Sequence, residues 1–195
     1  STSHVKYRNT TFEILGFDFL IDEDMNPWIL EFNHAPNLEP HTPLETELKR
    51  GMIRDALHLV DFSMAHRHRI AETTDRLVRA KQALQQAGVS IDEQLRYEDE
   101  TGQVHHFPFS SLTSLEIWTL VEGDFELQRT GNWQAVFPTS SAESDFRVET
   151  ENGEHAWIYQ EGVGGTRNHL AVQFLKFGLT TEHILSIAES AIPPQ

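Results

Sequence analysis

The 195-residue sequence contains no cysteine, which excludes disulfide bonds, thiolate zinc sites and cysteine nucleophiles. It contains no apolar run near the roughly 20 residues that a membrane-spanning helix needs. It also lacks the Gly-x-Ser-x-Gly elbow of serine hydrolases and the phosphate loop of P-loop enzymes. The first residues include neither an initiating methionine nor a signal peptide. We therefore expect a part of a longer chain whose N-terminal portion is missing. Because no apolar run is long enough to span a membrane, we expect no membrane partner.

Positive charge is scarce: 15 Lys and Arg stand against 30 Asp and Glu, for a formal net charge of −15. Nucleic acid is therefore not an expected partner. Residues 9–48 contain nine acidic residues and no Lys or Arg, which indicates either a solvated surface or a cation site. Five basic residues fall between Arg67 and Lys81. They form either a contact for an acidic partner or, as we favour, a solvated helix face.

The hydrophobic pattern predicts an α+β fold. Helices are expected over residues 44–60, 66–87, 111–128, 168–177 and 181–191, and hairpins over 12–33, 95–107 and 146–160. Thr42 with Glu45 three residues later predicts a capping box at the first helix, and Gly88 predicts the end of the second. His66, His68, His105 and His106 lack the spacing of helical metal ligands, so we expect surface histidines.

The first hairpin has a pairing that can be derived from its turn. If Asp22 faces Pro27 across a four-residue turn, then Asp18 lies opposite Glu31 and Gly16 opposite Asn33. Glu31 and Asn33 are two residues apart and so share one face of the strand. The other face would pair Phe17 with Phe32, Phe19 with Leu30 and Ile21 with Trp28. These pairs are all apolar, so burial against the helices is expected to fix the register.

The polar face of this hairpin has the chemistry of a magnesium site. Facing carboxylates lie with Cβ atoms ~5 Å apart and repel unless a cation or a proton lies between them. Adding the Asn33 amide oxygen gives three hard donors, and Gly16 is expected to leave room for a ligand. Mg²⁺ favours a few protein oxygens completed by water and phosphate. The alternative is a solvent-exposed coincidence.

The segments 12–19 and 27–36 resemble the end of the ATP-grasp core in tubulin tyrosine ligase-like enzymes, as do Pro43-Leu44-Glu45, Lys49 and Ile53-Arg54-Asp55. Glu122, residues 129–131 and residues 136–138 resemble the segment that follows that core. The resemblance implies three regions: the C-terminal part of an ATP-grasp core over 1–62, a mixed helical and hairpin extension over 63–138, and an uncharacterised region over 139–195.

The resemblance also implies a function. The family's magnesium ligands fall on Asp18, Glu31 and Asn33, with Glu31 catalytic and ATP as co-substrate. ATP converts a carboxylate into an acyl-phosphate, and an amino-acid amine then displaces the phosphate.

Two features resemble the glutamylating members of the family. One is Pro43-Leu44-Glu45 with the later Lys49, and the other is His34. They imply polyglutamylation of tubulin or microtubules from free glutamate, in the cytoplasm on the microtubule cytoskeleton, including the cilium or basal body. His34 is either a contact for the acceptor or a polar loop residue. Lys49 either faces substrate or phosphate, or is an ordinary helix-surface lysine. The alternatives are a tyrosine or glycine ligase of the same family, and a non-catalytic tubulin-binding module. We expect this chain alone to be inactive.

Overall fold

A computed structural model describes residues 12–61, 63–99, 101–136, 147–149, 155–157, 170–171 and 174–193. Its helices are α1 (Pro43–Val60), α2 (Met64–Ala87), α3 (Ser114–Leu127) and α4 (Thr181–Ala191). Its strands are β1 (Gly16–Ile21), β2 (Pro27–Asn33), β3 (Arg96–Glu98), β4 (Val104–His106), β5 (Arg147–Glu149) and β6 (His155–Trp157). Consecutive strands pair into three antiparallel two-stranded sheets. The predicted α+β class is confirmed, and the turn of the third hairpin lies outside the described residues.

The chain divides into two compact units. Unit 1 comprises Ser1–Val60 with Gly131–Trp133, and unit 2 comprises Asp61–Thr130 with Gln134–Gln195. The break after Val60 lies near the predicted boundary at residue 62, and the boundary at 138 lies outside the described residues. The sequence did not predict that residues 131–133 join unit 1. The three regions expected from the sequence stay a prediction.

Unit 2 contains the main hydrophobic core. The apolar stripe of α2, formed by Ile70, Leu77 and Leu84, is buried. It belongs to one cluster that also contains Ile117 and Val121 of α3, and Ile184 and Ala188 of α4. The ends of α2 follow from its capping residues. Ser63 accepts a hydrogen bond from the amide of His66, and Gly88 ends the helix at a φ of 68°.

His66 is buried in unit 2, so the predicted surface position is wrong for this residue. Its Nδ1 lies 2.9 Å from Nη1 of Arg129 and 3.7 Å from the Asp61 carboxylate. Desolvation lowers the pKa of His66 most, the charge of Arg129 lowers it further, and Asp61 acts in the opposite direction. The imidazole therefore favours the neutral form, whose Nδ1 accepts a hydrogen bond from the guanidinium.

In unit 1, α1 begins where the sequence predicts. The amide of Glu45 donates to Oγ1 of Thr42 at 3.1 Å, so the N-cap is confirmed. The Glu45 carboxylate accepts from the amide of His41 at 3.0 Å, not from that of Thr42, so the capping box is displaced by one residue. Nζ of Lys49 donates to the carbonyl oxygen of Glu39 at 2.7 Å, which ties the preceding loop to α1.

Residues 131–133 complete unit 1 by bonding to α1. Asp55 is only 7% exposed, and its Oδ2 accepts from the backbone amide of Asn132 at 3.1 Å and from its side-chain amide at 2.7 Å. Nε1 of Trp133 donates to the carbonyl oxygen of Met52 at 3.2 Å. Gly131 has a φ of 57°, and a Cβ there would lie 2.8 Å from Cγ of Asp55. Glycine is thus required at this position both by backbone conformation and by space.

The apolar face of the first hairpin is exposed. Phe17 is 50% exposed, Trp28 59% and Leu30 63%. The expected packing of helices on this face is therefore absent from the part of the chain that the structure describes, and burial does not fix the register there. Among the described helices, none is both long and apolar enough to cross a membrane.

Candidate metal centre on the first hairpin

The turn of the hairpin is shorter than predicted. The amide of Met25 donates to the carbonyl oxygen of Asp22, and the amide of Asp22 donates to that of Asn26. The Asp22 carboxylate accepts from the amides of Asp24 and Asn26 and from Nε1 of Trp28. These bonds lower the pKa of Asp22, the Trp28 bond contributing most. Met25 takes a φ of 65°, so the loop has three residues and ends on a left-handed residue.

The short loop changes the pairing nearest the turn. Phe19 pairs with Ile29, Leu20 with Trp28 and Ile21 with Pro27. The predicted pairs of Phe19 with Leu30 and of Ile21 with Trp28 are therefore wrong.

A bulge then restores the predicted register at the site. The register shifts between Asp18 and Phe19, because Leu30 is an extra residue on β2. Beyond the bulge Asp18 pairs with Glu31, Phe17 with Phe32 and Gly16 with Asn33, so these three predicted pairs are confirmed. The loop is one residue shorter than predicted and the bulge adds one residue to β2, so the two shifts of register cancel. Asp18 and Glu31 therefore pair as the sequence predicts.

The three candidate ligands interact with one another. A hydrogen bond with Glu31 is the largest cause that raises the pKa of Asp18, followed by desolvation and repulsion between the two carboxyl groups. The pKa of Glu31 is lowered, chiefly by a hydrogen bond from Asn33, whose Nδ2 lies 3.0 Å from Oε1 of Glu31. The neighbouring Glu31 thus disfavours the ionised form of Asp18, and the amide of Asn33 favours the ionised form of Glu31.

The donor set fits a hard divalent cation. It consists of two carboxylates and one amide, all oxygen donors once the Asn33 side chain turns Oδ1 toward its neighbours. The described residues contain no group of three or more His, Asp or Glu side chains placed to hold a metal. With Asp18, Glu31 and Asn33 alone, the candidate centre would supply three protein ligands, and Mg²⁺ commonly completes its shell with water and phosphate.

Gly16 does not leave space for a ligand, so that expectation is wrong. A Cβ built on Gly16 would lie 3.0 Å from Cβ of Pro36 and 3.6 Å from Cβ of Asn33. The space is filled by the chain that folds back after β2. The sequence did not predict the contact of Pro36 with Gly16. Pro36 lies only three residues after Asn33, the partner of Gly16, and this short spacing could have indicated the contact.

The two candidate substrate residues make contacts within unit 1. Nδ1 of His34 lies 3.3 Å from Oε1 of Glu13, and the ring packs edge-on against Phe32 at 4.6 Å. Lys49 bonds to the Glu39 carbonyl oxygen and lies 3.6 Å from the Glu45 carboxylate. These contacts agree with a structural role for Lys49. A role in substrate binding stays a prediction for both residues.

Comparison with known proteins confirms the family resemblance. Residues 1–69 match the model of the tubulin-tyrosine ligase family, and this match includes the hairpin and α1. The chain is 31% identical over 132 residues to tubulin polyglutamylase ttll-4 of Caenorhabditis elegans, and 31% identical over 132 residues to tubulin polyglutamylase ttll6 of Danio rerio. It is 29% identical over 166 residues to tubulin polyglutamylase TTLL6 of Homo sapiens.

These alignments include 66%, 68% and 85% of this chain, respectively. They span only 22%, 15% and 16% of the nematode, zebrafish and human proteins. No solved structure matches the chain significantly.

Proposed function

We propose that this protein is an ATP- and Mg²⁺-dependent ligase that adds glutamate to glutamate side chains or glutamate chains of tubulin. The observation that carries the proposal is the pairing of Asp18 with Glu31, with Asn33 next on the same face of β2. All three residues lie within the segment that matches the tubulin-tyrosine ligase family. The names of the relatives support tubulin as the acceptor and polyglutamylation as the reaction.

In this proposal Asp18 and Glu31 would hold Mg²⁺ as anionic ligands and Asn33 as a neutral one, and the ion would bind the phosphates of ATP. Bound there, the ion would neutralise phosphate oxygens during transfer. An acceptor carboxylate oxygen attacks the γ-phosphorus, and ADP leaves. The amine of free glutamate then attacks the acyl carbon, phosphate leaves, and the amine loses a proton as the amide bond forms. The hydrogen bond from Asn33 lowers the pKa of Glu31, which favours the charged form that would bind the metal.

The basic residues of α2 give little support for binding the acidic tails of tubulin. Arg76 pairs with Glu189 at 2.8 Å and Arg79 with Asp75 at 3.7 Å. Lys81 donates to the carbonyl oxygen of Leu112. These cations are engaged within unit 2, which agrees with the favoured interpretation of a solvated helix face. Recognition of tubulin is therefore proposed from the relatives alone.

The test uses the longest natural form of the protein with tubulin, ATP and Mg²⁺. Glutamate, glycine and tyrosine are supplied in separate reactions, and mass spectrometry of the tubulin tails identifies the added residue. We expect addition of glutamate only, and its loss in the Glu31→Gln variant. Glu47→Gln is the matched control, because Glu47 is an exposed glutamate of α1 in the same unit.

Addition of glycine or tyrosine would replace the proposed substrate and keep the ligase class. No addition of any amino acid, together with binding to tubulin, would favour a non-catalytic module. Unchanged activity of Glu31→Gln would show that the assignment of the ligands is wrong.

A further inference from the structure

The start of β1 and the chain after β2 approach each other unusually closely. A Cβ on Gly16 would meet Cβ of Pro36 at 3.0 Å, with the Pro36 Cα at 3.9 Å. Gly16 is not among the residues with positive φ, so its backbone would accept any residue. Glycine is needed here for space and not for conformation.

A second contact fixes the same part of the chain. Nδ1 of His34 lies 3.3 Å from Oε1 of Glu13, which precedes β1. Asn33 is therefore held against β1 by its pairing with Gly16. The residues that follow Asn33 are held near the start of β1 by the contacts of His34 and Pro36.

Asn33 depends on these contacts because it is the last residue of β2. At the end of a strand the backbone has no further ladder bonds to hold its direction. The direction of the chain at residues 34–36 therefore determines where the Asn33 side chain points. Its Nδ2 lies 3.0 Å from Oε1 of Glu31, so the Asn33 side chain lies beside the carboxylate with which it would share a cation once Oδ1 turns toward it.

We propose that Gly16 and Pro36 are positioning residues of the candidate metal centre, which act by holding the Asn33 amide beside Glu31. The inference rests on the proposed function, because it assigns these residues to the same magnesium site. The Pro36 Cβ belongs to a ring that is fixed to the backbone, so it cannot rotate away from an added methyl group. A methyl group at residue 16 moves the 34–36 segment, and the Asn33 amide moves with it.

The experiment measures Mn²⁺ binding without any turnover, through paramagnetic broadening of the Asn33 amide resonances in the full chain. The Gly16→Ala variant is expected to need about tenfold more Mn²⁺ for half-maximal broadening, as for the loss of a residue that supports a ligand. Pro36→Gly removes the atom that the new methyl group would meet. In the Pro36→Gly background, Gly16→Ala is therefore expected to change the Mn²⁺ requirement very little.

The control is Gly51→Ala, since nothing lies within 4 Å of a Cβ at Gly51, and its Mn²⁺ requirement should match that of the unsubstituted protein. Far-ultraviolet circular dichroism verifies that each variant is folded. Equal effects of Gly16→Ala in the two backgrounds, or no effect in either, would overturn the positioning role while leaving the metal site intact. Failure of the unsubstituted protein to show broadening at Asn33 would overturn the proposed site and the positioning role together.

Discussion

The facing carboxyl groups of Asp18 and Glu31 perturb each other, and the amide of Asn33 acts on Glu31. Two facing carboxylates repel, and here the pKa of Asp18 is raised while that of Glu31 is lowered. Counting residues from the turn along the two strands predicts that Asp18 pairs with Glu31. The sequence did not predict how Asn33 acts on Glu31, because the orientation of the Asn33 amide depends on the three-dimensional path of the chain after β2.

His66 was missed for a different reason. Its spacing from other histidines argued against a metal site, and from this a surface position was inferred. The useful signal was its spacing from Ile70, four residues later, because Ile70 begins the buried stripe of α2. Residues four apart on a helix share a face, so the stripe predicts that His66 points inward.

The buried His66 predicts a pH dependence of stability. Its folded pKa lies below the ordinary value of 6.5, so below about pH 6.5 the unfolded chain takes up a proton that the folded chain resists. Its contribution to stability is complete above that pH and is lost as the pH falls toward the folded pKa. We expect the unfolding midpoint in urea to fall more between about pH 7 and pH 5 in the unsubstituted protein than in His66→Gln.

The glutamine variant is chosen because its side-chain oxygen can still accept from Arg129 without titrating. His68→Gln serves as the control, since His68 is exposed on the same helix. Equal pH dependence in His66→Gln and the unsubstituted protein would contradict the role assigned to His66.

At the scale of whole elements, helices were easier to predict than the hairpin. The apolar stripe of α2 and Gly88 predict a helix over residues 66–87. The helix begins two residues earlier than expected, at Met64, and ends where expected, at Ala87. The hairpin contains both a particular turn and a bulge. The turn is held by hydrogen bonds of Asp22 and by the left-handed conformation of Met25. A non-glycine residue in that conformation is uncommon, so the sequence favoured a four-residue turn.

The contact between α1 and residues 131–132 gives an element-scale prediction. Gly131→Ala should destabilise unit 1, because a left-handed alanine costs about 1–2 kcal/mol and its methyl group would collide with Asp55. Hydrogen exchange of the amides around Asp55 should become faster. Gly123→Ala is the control: nothing surrounds a Cβ there, and alanine in a helix interior should stabilise α3 by up to about 1 kcal/mol.

If exchange in α1 were as slow in Gly131→Ala as in the unsubstituted protein, the bonds from Asn132 to Asp55 would not limit opening of that helix.

For the molecule as a whole, the distribution of apolar surface differs between the units. Unit 2 contains the buried cluster of apolar side chains, whereas the hairpin of unit 1 exposes aromatic and aliphatic residues on both strands. Composition predicts a folded protein but cannot tell which apolar segments are covered, since this depends on the partners of each face. A formal net charge of −15 acts against association of the exposed surfaces.

This balance predicts an effect of salt on the 195-residue chain. The Debye length falls from about 8 Å near 0.15 M salt to about 3 Å at 1 M, so repulsion between chains weakens while apolar attraction remains. Sedimentation velocity should detect association as salt rises. Ile29→Thr, at a 63% exposed position of β2, should reduce it.

Val136→Thr removes a β-branched residue that is 75% exposed and lies outside the hairpin, and it should leave the association unchanged. A monomer at every salt concentration would contradict this expectation.

Asp55 is bonded to Asn132, which lies 77 residues further along the chain. These bonds constrain how unit 1 can be transferred from one protein to another. A transfer of only the segment up to Val60 into another protein would separate the Asp55 carboxylate from the loop that bonds to it. A chimaera that carries the first hairpin and α1 should therefore carry residues 131–133 as well.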